Sequence, residues 1–124
     1  VLDVLEYSLK NKIKIGFVTS TTFDNIDAVF KTLNNQIKKN HFDFIGNNTL
    51  IKEAKPAPDI YIEALNSLEL DSSECIAIED TVESALSAYR ANIKCIAFPG
   101  LFHVSDDFSF CLKKLDKLNT SIFN

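Results

Sequence analysis

The chain has 124 residues, of which 46% are hydrophobic and 24% are charged, a balance that is typical of one globular domain and excludes a disordered or fibrous protein. Its formal net charge of −4 at pH 7 argues against nucleic acid as a main partner, because the sequence contains no basic stripe that would neutralise phosphates. No run of about 18 apolar residues occurs, so the sequence predicts no segment that spans a membrane.

Short apolar segments alternate along the chain with segments of helical spacing. The apolar segments contain β-branched residues and lack a clean polar face, as expected for parallel strands that are covered on both sides. Apolar residues on one face predict helices between and before them. This alternation predicts right-handed crossovers and an α/β fold with a parallel sheet. The predicted strands are 13–18, 42–45, 75–78 and 94–98, and the predicted helices begin near residues 1, 26, 59 and 82.

Several residues predict where helices begin and end. Pro58 stands where a helix starts, and proline is tolerated there because its missing N–H has no helical partner. Asn92 follows the helix that begins at Val82 and suits the left-handed conformation that often ends helices. In the tail, Asp106 and Asp107 precede spaced apolar residues and predict the start of a further helix.

Two polar features lie beyond apolar segments of the chain and are candidates for an anion site. The hydroxyl residues 19–22 come just before a predicted helix, where they would either bind an anion or simply cap the helix. Lys55 lies between Ala54 and Pro56 in a loop that two prolines restrict. Its ammonium would suit a phosphate oxygen, and the alternative is a solvated lysine in a turn.

Glu79 and Asp80 form an acidic pair that closes a predicted buried strand and opens a helix. Carboxylate oxygens and waters are the ligands that Mg²⁺ prefers. The alternative is that Asp80 caps the helix while Glu79 is solvated. Each cluster is a weak indication by itself, but ligands of open parallel sheets gather at the carboxyl ends of strands, where these clusters are all predicted to lie.

These residues resemble the motifs of the haloacid dehalogenase (HAD) superfamily, in its β-phosphoglucomutase and CbbY-like branch. Thr19, after a strand, resembles the hydroxyl of the second motif, and Lys55, in Lys-Pro-Ala-Pro-Asp-Ile-Tyr, resembles the lysine of the third. Glu79 and Asp80 resemble the acidic pair of the fourth motif, which places Mg²⁺. The resemblance implies a three-layer Rossmann-like core with Thr19 and Lys55 as catalytic residues, Thr19, Ser20 and Lys55 as phosphate ligands, and Asp80 and Glu79 as metal ligands.

The resemblance also implies an activity. It predicts a Mg²⁺-dependent phosphatase or phosphomutase that transfers the phosphoryl group of a sugar phosphate through an aspartyl-phosphate. The Asp-x-Asp of the first motif, which carries the nucleophile, occurs nowhere in the sequence. Ser84 and Asn92 stand where the family usually has glycine.

With the first motif, the central strand of the family's sheet and the cap domain are also missing. We therefore expect residues 1–124 to be the C-terminal portion of a HAD-like core that continues upstream. Without the central strand, the sheet is predicted to split into two pairs, 13–19 with 42–45 and 75–79 with 94–98. Such a chain is expected to be inactive alone and to bind Mg²⁺ weakly.

Two alternatives belong to other classes of protein. A receiver domain also combines acids, a threonine and a lysine around Mg²⁺, but its acidic pair comes first in the chain, whereas here Thr19 and Lys55 precede it. A non-catalytic interaction module with the same scaffold remains open.

The cysteine and histidine residues are not predicted to take part in catalysis or in metal binding. The three cysteines lack metal-ligand spacing and indicate a reducing compartment, predicted to be the cytoplasm, or the plastid stroma in a photosynthetic eukaryote. His41 and His103 are predicted to be surface loop residues.

Overall fold

The computed structural model describes residues 2–19, 23–32, 37–46, 51–99 and 103–123. Strands and helices alternate as the sequence predicts, and the fold is α/β. Short 3₁₀ turns lie at Lys39–His41, Ser72–Glu74 and Thr120–Phe123. In chain order the elements are α1 (Leu2–Lys10), β1 (Gly16–Val18), α2 (Phe23–Thr32), β2 (Phe44–Gly46), α3 (Asp59–Leu68), β3 (Ile76–Glu79), α4 (Val82–Arg90), β4 (Lys94–Ala97) and β5 (Lys113–Lys114).

The strands form two separate parallel sheets. In the first, β1 pairs with β2, with Phe17 opposite Ile45. In the second, β3 pairs with β4, with Ile78 opposite Ile96, and β5 lies on the other side of β4. The predicted split of the sheet into two pairs is therefore confirmed, and β5 adds a strand that the sequence pattern did not indicate.

The prediction that a helix begins at Asp106 and Asp107 is wrong. The Asp107 carboxylate accepts a hydrogen bond from the Ser109 backbone N–H at 2.9 Å and closes a short turn instead. Further along, the Leu112 N–H donates to the Cys95 carbonyl at 2.8 Å and brings the chain alongside β4. The backbone of this segment finds its hydrogen bonds on the edge of the sheet, and so does not need a helix to satisfy them.

The main apolar core lies between α3, α4 and the β3–β4 sheet. Ile60 on α3, Ala85 and Ala88 on α4 and Ala97 on β4 are completely excluded from solvent. Asn92 ends this packed unit with φ 63°, the left-handed conformation that the sequence predicts. The small alanine side chains let α4 approach the sheet closely. This close packing fixes the position of the end of β3, the strand that precedes α4. In the described part of the chain, no helix is long and apolar enough to cross a bilayer.

Candidate active site

An open cleft of about 910 Å³ lies between the two sheets. Residues 12–19, which include β1, line one side, and residues 74–80, which include β3, line the other. β1 and β3 are each the terminal strand of their sheet, so within the described ranges the cleft is bordered by two strand edges that pair with no other strand. Thr19, Lys55, Glu79 and Asp80 all line this cleft, so the structure brings these predicted site residues together.

Lys55 connects the two sheets across the cleft. Its Nζ atom donates to the Val18 carbonyl oxygen at 3.3 Å, at the end of β1, and to Glu79 Oε1 at 3.0 Å, at the end of β3. Only 7% of the lysine side chain is exposed. The alternative of a solvated lysine in a turn is therefore wrong, and the ammonium is placed where it can offset negative charge in the cleft.

Helix α4 holds the loop that presents Lys55. The Ser87 hydroxyl, which is fully buried, donates to the Ala57 carbonyl oxygen at 2.7 Å. Arg90 Nη1 donates to the Pro56 carbonyl oxygen at 3.2 Å. Because α4 also follows the acidic strand end, one helix positions both the lysine loop and the acids. Ser87 and Arg90 were not among the predicted site residues, although a serine among the alanines of a buried helix face indicates a buried hydroxyl that needs a partner.

Glu79 is buried and accepts hydrogen bonds from two side chains. Its Oε1 accepts from Lys55 Nζ and from the Tyr61 hydroxyl, and 9% of its side chain is exposed. The alternative of a solvated Glu79 is therefore wrong. Burial, reinforced by the negative charge of Glu79, raises the pKa of Tyr61 well above its ordinary value, so this hydroxyl stays protonated and donates. Tyr61 was not among the predicted site residues, and its place on an apolar helix face is the signal that could have identified it.

Asp80 has a different environment from its neighbour Glu79. It is exposed at the cleft, and α4 is capped by Thr81, whose Oγ1 accepts a hydrogen bond from the Ser84 N–H at 3.2 Å. The alternative that Asp80 serves as the helix cap is therefore wrong. Since Thr81 performs the capping, the Asp80 carboxylate remains available for a ligand in the cleft.

Thr19 and Ser20 are the hydroxyl residues predicted to bind phosphate. The Thr19 N–H donates to the Gly46 carbonyl oxygen at 3.3 Å, which holds the end of β1 beside β2 at the cleft. Ser20, Thr21 and Thr22 lie outside the described residues. The roles of Thr19 and Ser20 as phosphate ligands therefore stay predictions.

The acids at the cleft are candidates for a metal site. No group of three or more His, Cys, Asp and Glu side chains that could hold a metal ion occurs among the residues for which a placement is described. Mg²⁺ is commonly held by one or two protein carboxylates together with waters and substrate phosphates. The pair of Glu79 and Asp80 fits that smaller requirement.

The two histidines lie away from the cleft lining. His41 Nδ1 accepts from the Lys38 N–H at 3.1 Å and closes a 3₁₀ turn. His103 Nδ1 lies 2.8 Å from Asp106 Oδ2, and both side chains are exposed by about two fifths. These contacts tie the histidines into local turns.

The fold is that of an α/β protein whose parallel sheet is divided by a cleft carrying a lysine and two acids. The family model of the haloacid dehalogenase-like hydrolases matches residues 1–98. The chain therefore belongs to this family of hydrolases, and the resemblance predicted from its motifs is confirmed. The match also decides against the receiver-domain alternative.

Relatives and solved structures place the chain beside the CbbY-like branch. Protein CbbY of Cereibacter sphaeroides is 27% identical over 116 residues, which are 94% of this chain and 50% of that protein. A crystal structure of a CbbY mutant from Rhodobacter sphaeroides in complex with xylulose-(1,5)bisphosphate has a TM-score of 0.86 at 27% identity, covering 93% of this chain and 51% of that one. β-Phosphoglucomutase from Clostridium difficile shares the fold, with a TM-score of 0.78 at 22% identity over 97% of this chain and 51% of that one. The chain spans about half the length of the curated relatives it matches.

Proposed function

We propose that this chain supplies the charge-neutralising half of a Mg²⁺-dependent phosphatase or phosphomutase that acts on a sugar phosphate. The observation that carries the proposal is the position of Lys55, whose ammonium bridges the ends of β1 and β3 at 3.3 and 3.0 Å. A buried cation between the strand ends of two parallel sheets, beside an exposed carboxylate, is suited to a phosphate and its metal ion.

Each residue of the cleft has a role in this proposal. The Thr19 hydroxyl, with the Ser20 N–H, binds oxygens of the transferring phosphoryl group. Lys55 offsets its negative charge, and Asp80 together with Glu79 would hold Mg²⁺. When bound, Mg²⁺ would neutralise charge on the phosphate oxygens, which is one of the main requirements of phosphoryl transfer.

The nucleophile of the proposed reaction is not part of this chain. An aspartate nucleophile would have to reach the phosphate between Lys55 and Asp80, and the cleft between β1 and β3 opens on that position. We propose that a β-strand carrying Asp-x-Asp fills this cleft in the active protein and joins the two sheets. Among the described residues, the outer edges of β1 and β3 pair with no other strand, and this supports the proposal, because each edge offers a row of backbone groups to a further strand.

The partner class follows from the same charges. The charges of the cleft support a phosphorylated small molecule as the partner. The CbbY complex with a sugar bisphosphate supports a sugar phosphate as that molecule. The choice between hydrolysis and transfer to a second hydroxyl depends on a cap segment that this chain does not carry. We propose that neither nucleic acid nor a membrane is a partner. The proposed compartment is the cytoplasm, or the plastid stroma.

The proposal is tested by binding and turnover of the chain itself. Inorganic phosphate should shift backbone NMR signals of Thr19 and Lys55, and Mn²⁺, as a paramagnetic probe for Mg²⁺, should broaden those of residues 79 and 80. Asp80→Asn should abolish the Mn²⁺ effect, whereas Asp116→Asn, an exposed carboxylate outside the cleft, should leave it unchanged. If phosphate and Mn²⁺ leave the cleft signals unchanged, the proposed site is wrong.

Turnover tests the absence of the nucleophile. The purified chain should show negligible Mg²⁺-dependent hydrolysis of an aryl phosphate, because its sequence contains no Asp-x-Asp that would supply the attacking carboxylate. Hydrolysis by this chain that Asp80→Asn abolishes would contradict that part of the proposal. Sequencing the transcript upstream of Val1 should show Asp-x-Asp followed by Thr or Val, and a native start at Val1 would instead favour the interaction module.

A further inference from the structure

Tyr61 contacts the proposed site through its hydroxyl group. The residue lies on α3, in the first turn after the loop of Lys55, and only 7% of it is exposed. Its hydroxyl donates to Glu79 Oε1 on β3. A buried tyrosine hydroxyl needs a hydrogen-bond partner, and here the partner is the carboxylate that also binds Lys55.

One oxygen of Glu79 receives two donors. Lys55 Nζ lies 3.0 Å from Oε1, and the Tyr61 hydroxyl donates to the same atom. Two donors from different elements restrict rotation of the carboxylate about its terminal bond, since a partial rotation would lengthen both contacts, and only a half-turn, which places the equivalent oxygen at the same position, would restore them. Both hydrogen bonds described for this carboxylate end on Oε1, so the second oxygen, Oε2, is the one left for a ligand in the cleft.

Tyr61 also contacts the lysine directly. The Lys55 ammonium lies 5.7 Å from the centre of the Tyr61 ring, within the range at which a cation is attracted to an aromatic face. Tyr61 therefore touches both members of the buried ion pair, with its ring near the cation and its hydroxyl on the anion. Phenylalanine at this position would retain the ring and its packing but would leave Oε1 with a single donor.

The geometry points to Tyr61 as a positioning residue that holds Glu79 in one orientation and, through Glu79, fixes the Lys55 ammonium at the cleft. This inference rests on the proposed function for its purpose, because a fixed ammonium and a single open carboxylate oxygen matter only if the cleft binds phosphate and metal. Groups that orient the ligands of a metal or phosphate commonly change affinity without touching the ligand themselves.

The experiment measures the hydrogen exchange of the Lys55 ammonium by ¹⁵N–¹H NMR at low temperature, with Lys55→Met to assign its signal. In Tyr61→Phe we expect exchange about three- to tenfold faster than in the unmodified chain, which corresponds to the loss of one typical hydrogen bond. Tyr89→Phe, the same change on an exposed ring, should leave the rate unchanged. A purely structural role of the Tyr61 ring would not change the rate, because phenylalanine keeps the ring.

A second measurement needs no variant at Tyr61. In the unmodified chain the Tyr61 hydroxyl proton should give a slowly exchanging resonance downfield of the amides, and Glu79→Gln should shift or remove it. An unchanged Lys55 exchange rate in folded Tyr61→Phe, or the absence of the hydroxyl resonance from the unmodified chain, would overturn the inference.

Mn²⁺ binding separates this inference from the proposed function. Tyr61→Phe should weaken Mn²⁺ binding about tenfold, as expected for a group that orients a metal ligand. If the unmodified chain binds neither Mn²⁺ nor inorganic phosphate, the proposed function fails. The exchange rate of the Lys55 ammonium still decides, in either direction, whether Tyr61 holds the ion pair in place.

Discussion

The Lys55 ammonium and the Glu79 carboxylate form an ion pair across the cleft, with Nζ 3.0 Å from Oε1, although the two residues are 24 positions apart in the chain. Their side chains are 7% and 9% exposed, so neither charge is well hydrated. Each group therefore depends on the other, and the pair joins the loop before α3 to the end of β3.

Removal of the lysine charge should destabilise the chain. Lys55→Met leaves the Glu79 carboxylate buried with only the Tyr61 hydroxyl as a donor, and we expect the free energy of unfolding to fall by about 3 kcal/mol. Urea denaturation measures this fall. Lys52→Met, at an exposed position of the same loop, should cost less than about 0.5 kcal/mol.

A double-mutant cycle tests whether the loss belongs to the pair. Lys55→Met combined with Glu79→Gln should be less destabilised than the sum of the two single variants, because the second change removes the unpaired charge that the first one leaves. Additive losses would show that the two side chains do not depend on each other.

Substitutions at Asp80 and at Thr81 should affect different properties. The change at Asp80 should affect ligand binding, and the change at Thr81 should affect stability. Asp80→Asn should change the free energy of unfolding by less than about 0.5 kcal/mol, because the residue is exposed and does not cap α4. Thr81→Ala removes the cap and should cost about 1 kcal/mol. Mn²⁺ broadening of the cleft signals should disappear only in Asp80→Asn. A large loss of stability in Asp80→Asn would contradict this division of roles.

Ser87 should stabilise the loop of Lys55. Ser87→Ala removes the fully buried hydroxyl that donates to the Ala57 carbonyl oxygen at 2.7 Å, leaves that partly buried oxygen without this donor, and should cost about 1–2 kcal/mol. Hydrogen exchange of the Ala57 N–H, which donates to Ala54, should become faster. Ser73→Ala, at an exposed position, is the matched control. Equal losses in the two variants would show that α4 does not hold the loop.

The buried thiol of Cys95 predicts a dependence of stability on pH. Burial, with a smaller effect of the Cys111 thiol, raises the pKa of Cys95 far above its ordinary value. The unfolded chain therefore releases this proton first as the pH rises. The stabilisation is fully present below the unfolded thiol pKa of about 8.5 and is lost above it, by up to about 1.4 kcal/mol per pH unit.

Cys95→Ala isolates this contribution. Urea denaturation under reducing conditions between pH 7 and pH 10 should show a steeper loss of stability in the unmodified chain than in Cys95→Ala. The other two cysteines are present in both proteins, so their effects largely cancel in the difference. Parallel curves for the two proteins would show that the Cys95 thiol titrates alike in the folded and unfolded states.

The elements that were predicted correctly have local causes. β3 and β4 each contain a run of apolar residues, 76–78 and 95–97, and Asn92 adopts the left-handed conformation, φ 63°, that its side chain tolerates. β5 was missed because its residues, Lys113 and Lys114, are both exposed and carry no apolar pattern. This strand exists because of backbone hydrogen bonds to β4, which a pattern of side chains does not reveal.

The sequence by itself determined the alternation of strands and helices and the candidate residues Thr19, Lys55, Glu79 and Asp80, because periodicity, turn residues and motif spacing are local properties of a chain. Only the tertiary structure decided that Lys55 reaches Val18 and Glu79, which lie 37 and 24 residues away, and that Tyr61 shares the oxygen that Lys55 binds. These contacts depend on how α3 and α4 pack against the sheet, and packing is set by the whole core together.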